Sequence, residues 1–163
     1  MSNSDTSTAR GFAIDEDSNT IRFERQVDAP RAEVYEAWTT PEQVTAWWDP
    51  DGEPLVTCEI DLRVGGAFAF ATRAHSAMPF AGVYEELVPP ARIVFEAMGA
   101  TGRVTLEESA HGTRMVVEIV CRSAEHLEQF TRMGVHEGTA RTVDNLVSYA
   151  EASGRARAEA TRP

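Results

Sequence analysis

The sequence contains no lysine, so arginine carries all of its positive side-chain charge. Its 15 basic residues are outnumbered by 26 acidic residues, and the formal net charge at pH 7 is −11. A chain this acidic repels nucleic-acid phosphates and anionic lipid headgroups. We therefore expect no nucleic-acid partner and no membrane-surface role.

Long hydrophobic runs and clustered cysteines are also missing. No stretch approaches the roughly 20 apolar residues that cross a bilayer, and the first residues lack the basic and apolar regions of a signal peptide. Cys58 and Cys121 stand alone in apolar segments, which predicts reduced, buried thiols, and no zinc spacing is present. We expect a cytoplasmic protein with no metal and no cofactor.

The length of 163 residues suits one domain. Residues 1–20 are polar and predict a disordered N-terminal arm, whereas residues 152–163 predict a frayed tail. The domain is expected over residues 21–151. The net charge is −9 over residues 21–150, so the acidity lies on the domain itself.

Hydrophobic periodicity predicts two short helices and a long one around a run of strands. Ile21 to Val27 alternates apolar and polar residues as a half-buried strand does, and helices follow after Pro30 and over Pro41 to Trp48. Six further apolar runs, separated by turn residues, predict an antiparallel meander; they are Leu55 to Asp61, Ala67 to Arg73, Phe80 to Val88, Ile93 to Met98, Arg103 to Glu108 and Thr113 to Arg122. Ser123 then caps one helix that runs to about Ala150.

This order of elements, with several local motifs, resembles a known superfamily. The motifs are RQVDAP at 25–30, TTPE at 39–42, WWDP at 47–50, DLRVGG at 61–66, GVYEELVPPARIVF at 82–95 and VDNL at 143–146. They are similar to the START-like superfamily members grouped with the activator of the heat-shock-protein-90 ATPase. The resemblance covers residues 21 to 150 and implies a helix-grip α+β fold, in which a curved antiparallel sheet of about seven strands wraps around a long C-terminal helix.

The resemblance also implies a cavity between the sheet and the long helix, and a homodimer. We expect the lining of that cavity to come from apolar residues of the strands and helices: Trp47, Trp48, Phe68, Phe70, Phe80, Tyr84, Phe95, Met115, Val117, Phe130, Met133, Gly134 and His136. Thr139 stands where family members commonly carry tryptophan. The identity of a ligand therefore does not carry over from the family.

Catalytic groups are few. His136, His75 and Tyr84 are the candidates, with His136 as general acid or base, but a lone histidine on an apolar face is more often a hydrogen-bonded core residue. Arg25 shares the parity of the buried strand residues. It either pairs with a carboxylate such as Glu86 or contacts a ligand anion.

Three functions are compatible with the sequence. We expect a protein that binds a small, largely apolar ligand, because the sequence supplies apolar lining without an assembled catalytic set. A cyclase or hydrolase that uses the same cavity is the first alternative. A chaperone ATPase-regulating interaction module is the second, and it rests on resemblance alone.

Overall fold

The computed structural model describes residues 11–48, 55–74, 76–77 and 79–160, and within them it has eight strands and four helices. The strands are β1 (Ala13–Asp15), β2 (Thr20–Val27), β3 (Leu55–Ile60), β4 (Ala67–Thr72), β5 (Phe80–Val88), β6 (Arg92–Ala97), β7 (Ala100–Ser109) and β8 (Gly112–Val120). The helices are α1 (Arg31–Thr39), α2 (Pro41–Trp47), α3 (Ala124–Arg132) and α4 (Val135–Ala160).

All eight strands form one curved antiparallel sheet in the order β1-β2-β8-β7-β6-β5-β4-β3. The α4 helix packs against β2 and against the other three helices, and α1 packs on β7 and β8. The expected α+β helix-grip architecture is confirmed. None of the described helices combines the length and apolar character that a membrane span needs.

The sheet has eight strands where the sequence predicted seven. The additional strand, β1, lies inside the segment expected to be a disordered arm, and it pairs antiparallel with β2. Phe12 is buried and its ring packs near that of Phe23, with the centroids 6.5 Å apart. Gly11 adds a hydrogen bond, because its carbonyl accepts from the Arg25 guanidinium at 2.8 Å. The disorder prediction is therefore wrong for residues 13–15, while residues 1–10 lie outside the described residues.

The C-terminal helix is interrupted, which the sequence did not predict. Gly134 has a φ of +76°, a left-handed conformation that favours glycine, and it separates α3 from α4. A Cβ at Gly134 would meet only the Glu137 carboxylate, at 3.8 Å, so this glycine serves the turn rather than a close helix contact. Helix α4 then continues to Ala160, well past Ala152, where a frayed tail was expected.

Candidate functional site

The concave face of the sheet carries a cluster of aromatic side chains on β4, β5 and β6. In the register, Phe68 lies beside Gly82, while Tyr84 lies beside Phe95. Side chains at directly opposed positions point to the same face of a sheet. Phe70, Phe80 and Trp48, the residue that follows α2, complete a group that we call the aromatic cluster.

Two glycines let these rings lie flat on the sheet. A Cβ at Gly82 would overlap the carbonyl oxygen of Glu96 and come within 2.6 Å of the Phe68 ring, and a Cβ at Gly102 would overlap the ring of Phe95. The space that a side chain would fill at these positions is therefore occupied by the neighbouring ring. Small residues on one strand thus determine where the aromatic residues of the next strand can lie.

The rings form a continuous network of edge and tilted contacts. Trp48 packs against Phe70 at 5.0 Å and against Phe80 at 5.2 Å between centroids. Phe68 reaches Tyr84 at 5.2 Å and Phe95 at 5.4 Å. Contacts of this geometry add about 0.5 to 1.5 kcal/mol per pair beyond area burial. The aromatic cluster is therefore both part of the core and a preorganised apolar surface.

The members of the cluster differ in exposure. Phe68, Phe70 and Tyr84 are buried, whereas Trp48, Phe80 and Phe95 are only partly buried. The partly buried rings retain apolar surface that a bound molecule would cover.

Trp47 belongs to the core rather than to the exposed part of the cluster. Its side chain is buried, and its indole N–H donates to the carbonyl oxygen of Ala37 at 2.8 Å. Its neighbour Trp48 points to the sheet, so the two adjacent tryptophans have separate roles, as a helical separation of about 100° between them requires.

Three polar side chains lie in the core or pack against it: Tyr35 and Tyr84 are buried, and Cys58 is partly buried. Burial raises the pKa of Tyr84 above its ordinary value, and the nearby Cys58 and Tyr35 raise it further. Burial likewise raises the pKa of the Cys58 thiol, with a hydrogen bond to Thr45 acting in the opposite direction. Burial also raises the pKa of Tyr35, so all three groups keep their protons near neutral pH.

The Tyr35 hydroxyl is the exceptional member of this group. Its side chain is only 7% exposed, and no described residue offers its oxygen a hydrogen-bond partner. Leaving a buried hydroxyl unpaired costs about 1 to 3 kcal/mol. Sequence reasoning missed Tyr35 because a tyrosine at a buried helical position is indistinguishable from an ordinary core aromatic residue.

His136, at the start of α4, lies in a different environment. Its ring meets the edge of Phe12 at 4.9 Å, and its Nδ1 atom is buried without a hydrogen-bond partner among the described residues. No ring contact or hydrogen bond joins it to Tyr84 in the part of the chain that the structure describes. His75 lies outside the described residues. Among the residues that the structure describes, no group of histidine, cysteine and carboxylate side chains is arranged to hold a metal ion.

Arg25 is paired, but not with Glu86. Its Nε donates to the Asp144 carboxylate on α4 at 2.6 Å, and its NH1 and NH2 groups donate to the carbonyls of Glu24 and Gly11. Glu86 instead accepts from Arg92 at 2.8 Å. The Glu86 pairing is therefore wrong, and the guanidinium that was considered for an anion ties β2 to α4.

The other predicted lining residues divide between core and surface. Met115 and Val117 are buried on β8, and the Met115 sulfur accepts from the Trp38 indole N–H at 3.4 Å. Phe130 is buried on α3 against His126. Met133 is 63% exposed, so its placement as a lining residue is wrong, because the turn at Gly134 takes it off the buried helix face.

His126, in the first turn of α3, is buried. Its Nδ1 accepts from the backbone N–H of Arg122 at 3.1 Å, and its Nε2 lies 3.2 Å from the carbonyl oxygen of Met98. A carbonyl only accepts, so Nε2 carries the proton and the ring is the neutral tautomer. His126 thereby fastens the start of α3 to the turn between β6 and β7.

A surface cleft of about 420 Å³ lies apart from these residues. It is lined by Pro30, Arg31, Ala32, Pro90, Glu108, Ser109 and Gly112, at the start of α1 and the turn between β7 and β8. None of them belongs to the aromatic cluster.

The sheet order and the helices that cover its concave face define a helix-grip domain. The chain belongs to the family described as Activator of Hsp90 ATPase homolog 1-like protein, whose model matches residues 28–151. No curated protein matches the sequence.

Solved structures with this fold come from several bacteria. Protein NE0264 from Nitrosomonas europaea has a TM-score of 0.74 at 21% identity, covering 82% of this chain and 95% of that chain. Ms6760 from Mycobacterium smegmatis has a TM-score of 0.73 at 22% identity, covering 87% and 97%. The AHSA1-like protein from Aeromonas hydrophila has a TM-score of 0.67 at 23% identity, covering 83% and 94%. These similarities establish the fold, and the family supports a ligand-binding or interaction module in general.

Proposed function

We propose that this protein binds a small, largely apolar molecule between the concave face of the sheet and the C-terminal helix. The observation that carries the proposal is the aromatic cluster, in which partly buried rings adjoin buried ones. A folded chain gains about 25 cal/mol for each Å² of apolar surface removed from water. The partly exposed rings of the aromatic cluster lie beside its buried rings. They are therefore suited to contact a bound ligand.

The charge of the domain favours a neutral ligand or a cationic one. The domain is strongly acidic, and Arg25 is held by Asp144 and by backbone carbonyls. An anionic ligand would need a positively charged side chain that is not already paired, whereas a neutral apolar molecule needs only the rings of the aromatic cluster.

Tryptophan fluorescence tests the binding proposal, because Trp48 stacks on Phe80 at the partly buried side of the cluster. We expect members of a library of neutral aromatic compounds to change the emission and to raise the thermal midpoint. Phe80→Ala is expected to weaken that binding, and Met133→Ala, which changes an exposed residue on α3's C-terminal turn, is the matched control. A library without any response in either measurement would contradict the proposal.

Native mass spectrometry of protein purified from its own host provides a second test. A small molecule that survives purification, and that the Phe80→Ala variant no longer retains, would identify the ligand. Retention that is the same in both proteins would place the molecule elsewhere on the chain.

The cyclase or hydrolase alternative requires at least two candidate groups to converge on the ligand. Among the described residues, His136 contacts Phe12, while Tyr84 contacts Phe68 on the opposite part of the sheet. Binding without catalysis therefore remains the function that we propose.

A second candidate, an interaction module, is favoured by an exposed apolar patch. Leu62, Val64 and Val83 are 46%, 63% and 39% exposed, and the backbone of Gly65 and Gly66 hydrogen-bonds Tyr84, next to Val83. Titration with a purified Hsp90-class chaperone, reading its ATPase rate, tests this candidate. We expect stimulation that Val64→Asp abolishes, and an unchanged ATPase rate with the wild-type protein would reject it.

A further inference from the structure

The Tyr35 hydroxyl and the aromatic cluster together point to a specific feature of the ligand. Tyr35 lies on α1, the helix that covers the concave face, and three residues later Trp38 of the same helix reaches the Met115 sulfur on β8. Trp38 also packs against Trp47 at 5.3 Å, and Trp47 packs against Trp48 at 5.9 Å. Helix α1 is thus joined to the cluster by a continuous series of ring contacts.

Tyr84 lies on the other side of the same interior. It is 4% exposed, and its ring packs against that of Phe68 at 5.2 Å between centroids. The interior therefore holds two buried phenols, one on the covering helix and one on the sheet.

We propose that the Tyr35 hydroxyl, together with that of Tyr84, is the polar recognition point of the site and donates a hydrogen bond to a carbonyl or other neutral acceptor on an otherwise apolar ligand. This inference rests on the proposed binding function. The Tyr35 oxygen is more than nine-tenths buried with its side chain and has no hydrogen-bond partner among the described residues. A buried hydroxyl in that state is suited to a partner that arrives from outside the protein.

The choice of a neutral acceptor follows from the protonation of the surrounding groups. Burial raises the pKa of Tyr35, Tyr84 and Cys58, so each presents a hydrogen to the site and none presents a charge. An anionic acceptor would need a cation, and the net charge of the chain is −11. A ketone, ester or amide carbonyl meets these conditions.

The test uses a matched pair of probes, methyl naphthyl ketone and its isopropenyl analogue, in which C=CH₂ replaces C=O. Calorimetric titration of the wild-type protein is expected to show tighter binding of the ketone. In Tyr35→Phe we expect the ketone to lose about 5-fold to 10-fold in affinity, the magnitude of one hydrogen bond, while the affinity for the hydrocarbon is unchanged. Tyr149→Phe, which removes a hydroxyl from a half-buried tyrosine on α4, is the control and should retain the preference.

The thermal midpoint separates this role from a structural one. Because no described residue bonds to the Tyr35 hydroxyl, Tyr35→Phe should leave the midpoint unchanged or raise it. A clear fall would assign the hydroxyl to the fold and overturn the inference. Equal affinities for the two probes, or a ketone preference that survives in Tyr35→Phe, would also overturn it while the binding proposal stands. If neither probe binds the wild-type protein, the proposed function fails and the inference fails with it.

Discussion

The two halves of the sheet differ in the side chains that line their concave face and in how fully those side chains are buried. In the scaffold half, β1, β2, β8 and β7, the concave face is mainly aliphatic and fully covered, as Ile21, Val104 and Leu106 show with at most 1% exposure. In the aromatic half, β6, β5, β4 and β3, that face carries the aromatic cluster, of which three rings are only partly buried.

The outer faces differ as well. Cross-strand ion pairs tie the scaffold half together, since Arg114 bonds Glu24 at 2.8 Å and Glu107 at 2.7 Å, and Arg103 bonds Glu118 at 3.0 Å. The aromatic half has one such pair between β5 and β6, Arg92 with Glu86 at 2.8 Å, and it also exposes Val83. The scaffold half therefore buries its apolar side chains more fully, whereas the aromatic half leaves more apolar surface exposed.

The sharpest test of this division compares two phenylalanines, one in each half. Phe23 on β2 is fully buried, so Phe23→Ala should lower the free energy of unfolding by about 3 to 5 kcal/mol. Phe80 on β5 is partly buried, and Phe80→Ala should cost roughly 1 to 2 kcal/mol while weakening ligand binding. Urea unfolding monitored by circular dichroism measures both. Equal losses of stability would mean that the two halves do not differ in this way.

Much of this fold is predictable from the sequence because it depends on local periodicity. The alternation from Ile21 to Val27 and the turn residues between later runs specify strands, and the expected antiparallel meander is confirmed. The β1 strand is not predictable in the same way. It has three residues, and its stability comes from Phe12 packing onto Phe23, a contact that no local pattern contains.

The candidate site is predictable as a set of residue types but not as an arrangement. Period-two alternation places Phe68 and Phe70 on one face, whereas the partner of Arg25 is Asp144, 119 positions away, and no spacing rule identifies it. The sequence around Gly134 is equally ambiguous. A glycine within a helical pattern is compatible both with a close helix contact and with a break in the helix. The role proposed for Tyr35 depends on which buried atoms lack hydrogen-bond partners, and only the folded chain shows this.

His126 lies against the turn from β6 to β7, which connects the aromatic half of the sheet to the scaffold half. His126→Ala should lower the free energy of unfolding by about 2 kcal/mol, because it leaves the Arg122 N–H and the Met98 carbonyl without their side-chain partner. His111→Ala, at an exposed turn position, is the matched control and should change the value by less than about 0.5 kcal/mol. Similar losses in both variants would show that the buried histidine does not fasten α3 to the sheet.

The smallest expected effect concerns the outer face of the scaffold half. The hydrogen bond from Arg114 lowers the pKa of Glu24 below its ordinary value of 4.5. Because the folded state favours the charged carboxylate, Glu24 stabilises the protein above that ordinary value and loses this contribution as the pH falls through the lowered pKa. The side chain is 45% exposed, so solvent screening limits the contribution to a few tenths of a kcal/mol, on the order of other surface pairs.

Urea midpoints of Glu24→Gln and the wild-type protein, compared from about pH 6 to about pH 3, measure this contribution. The difference between the two proteins should shrink as the solution becomes more acidic, because protonated Glu24 and glutamine are both neutral. Glu59→Gln, on the exposed side of β3 in the aromatic half, is the control, and we expect its difference from wild type to be smaller at every pH. A difference for Glu24→Gln that grew toward acidic pH would reverse the sign of the argument, since it would require the folded state to bind the Glu24 proton more tightly than the unfolded chain does.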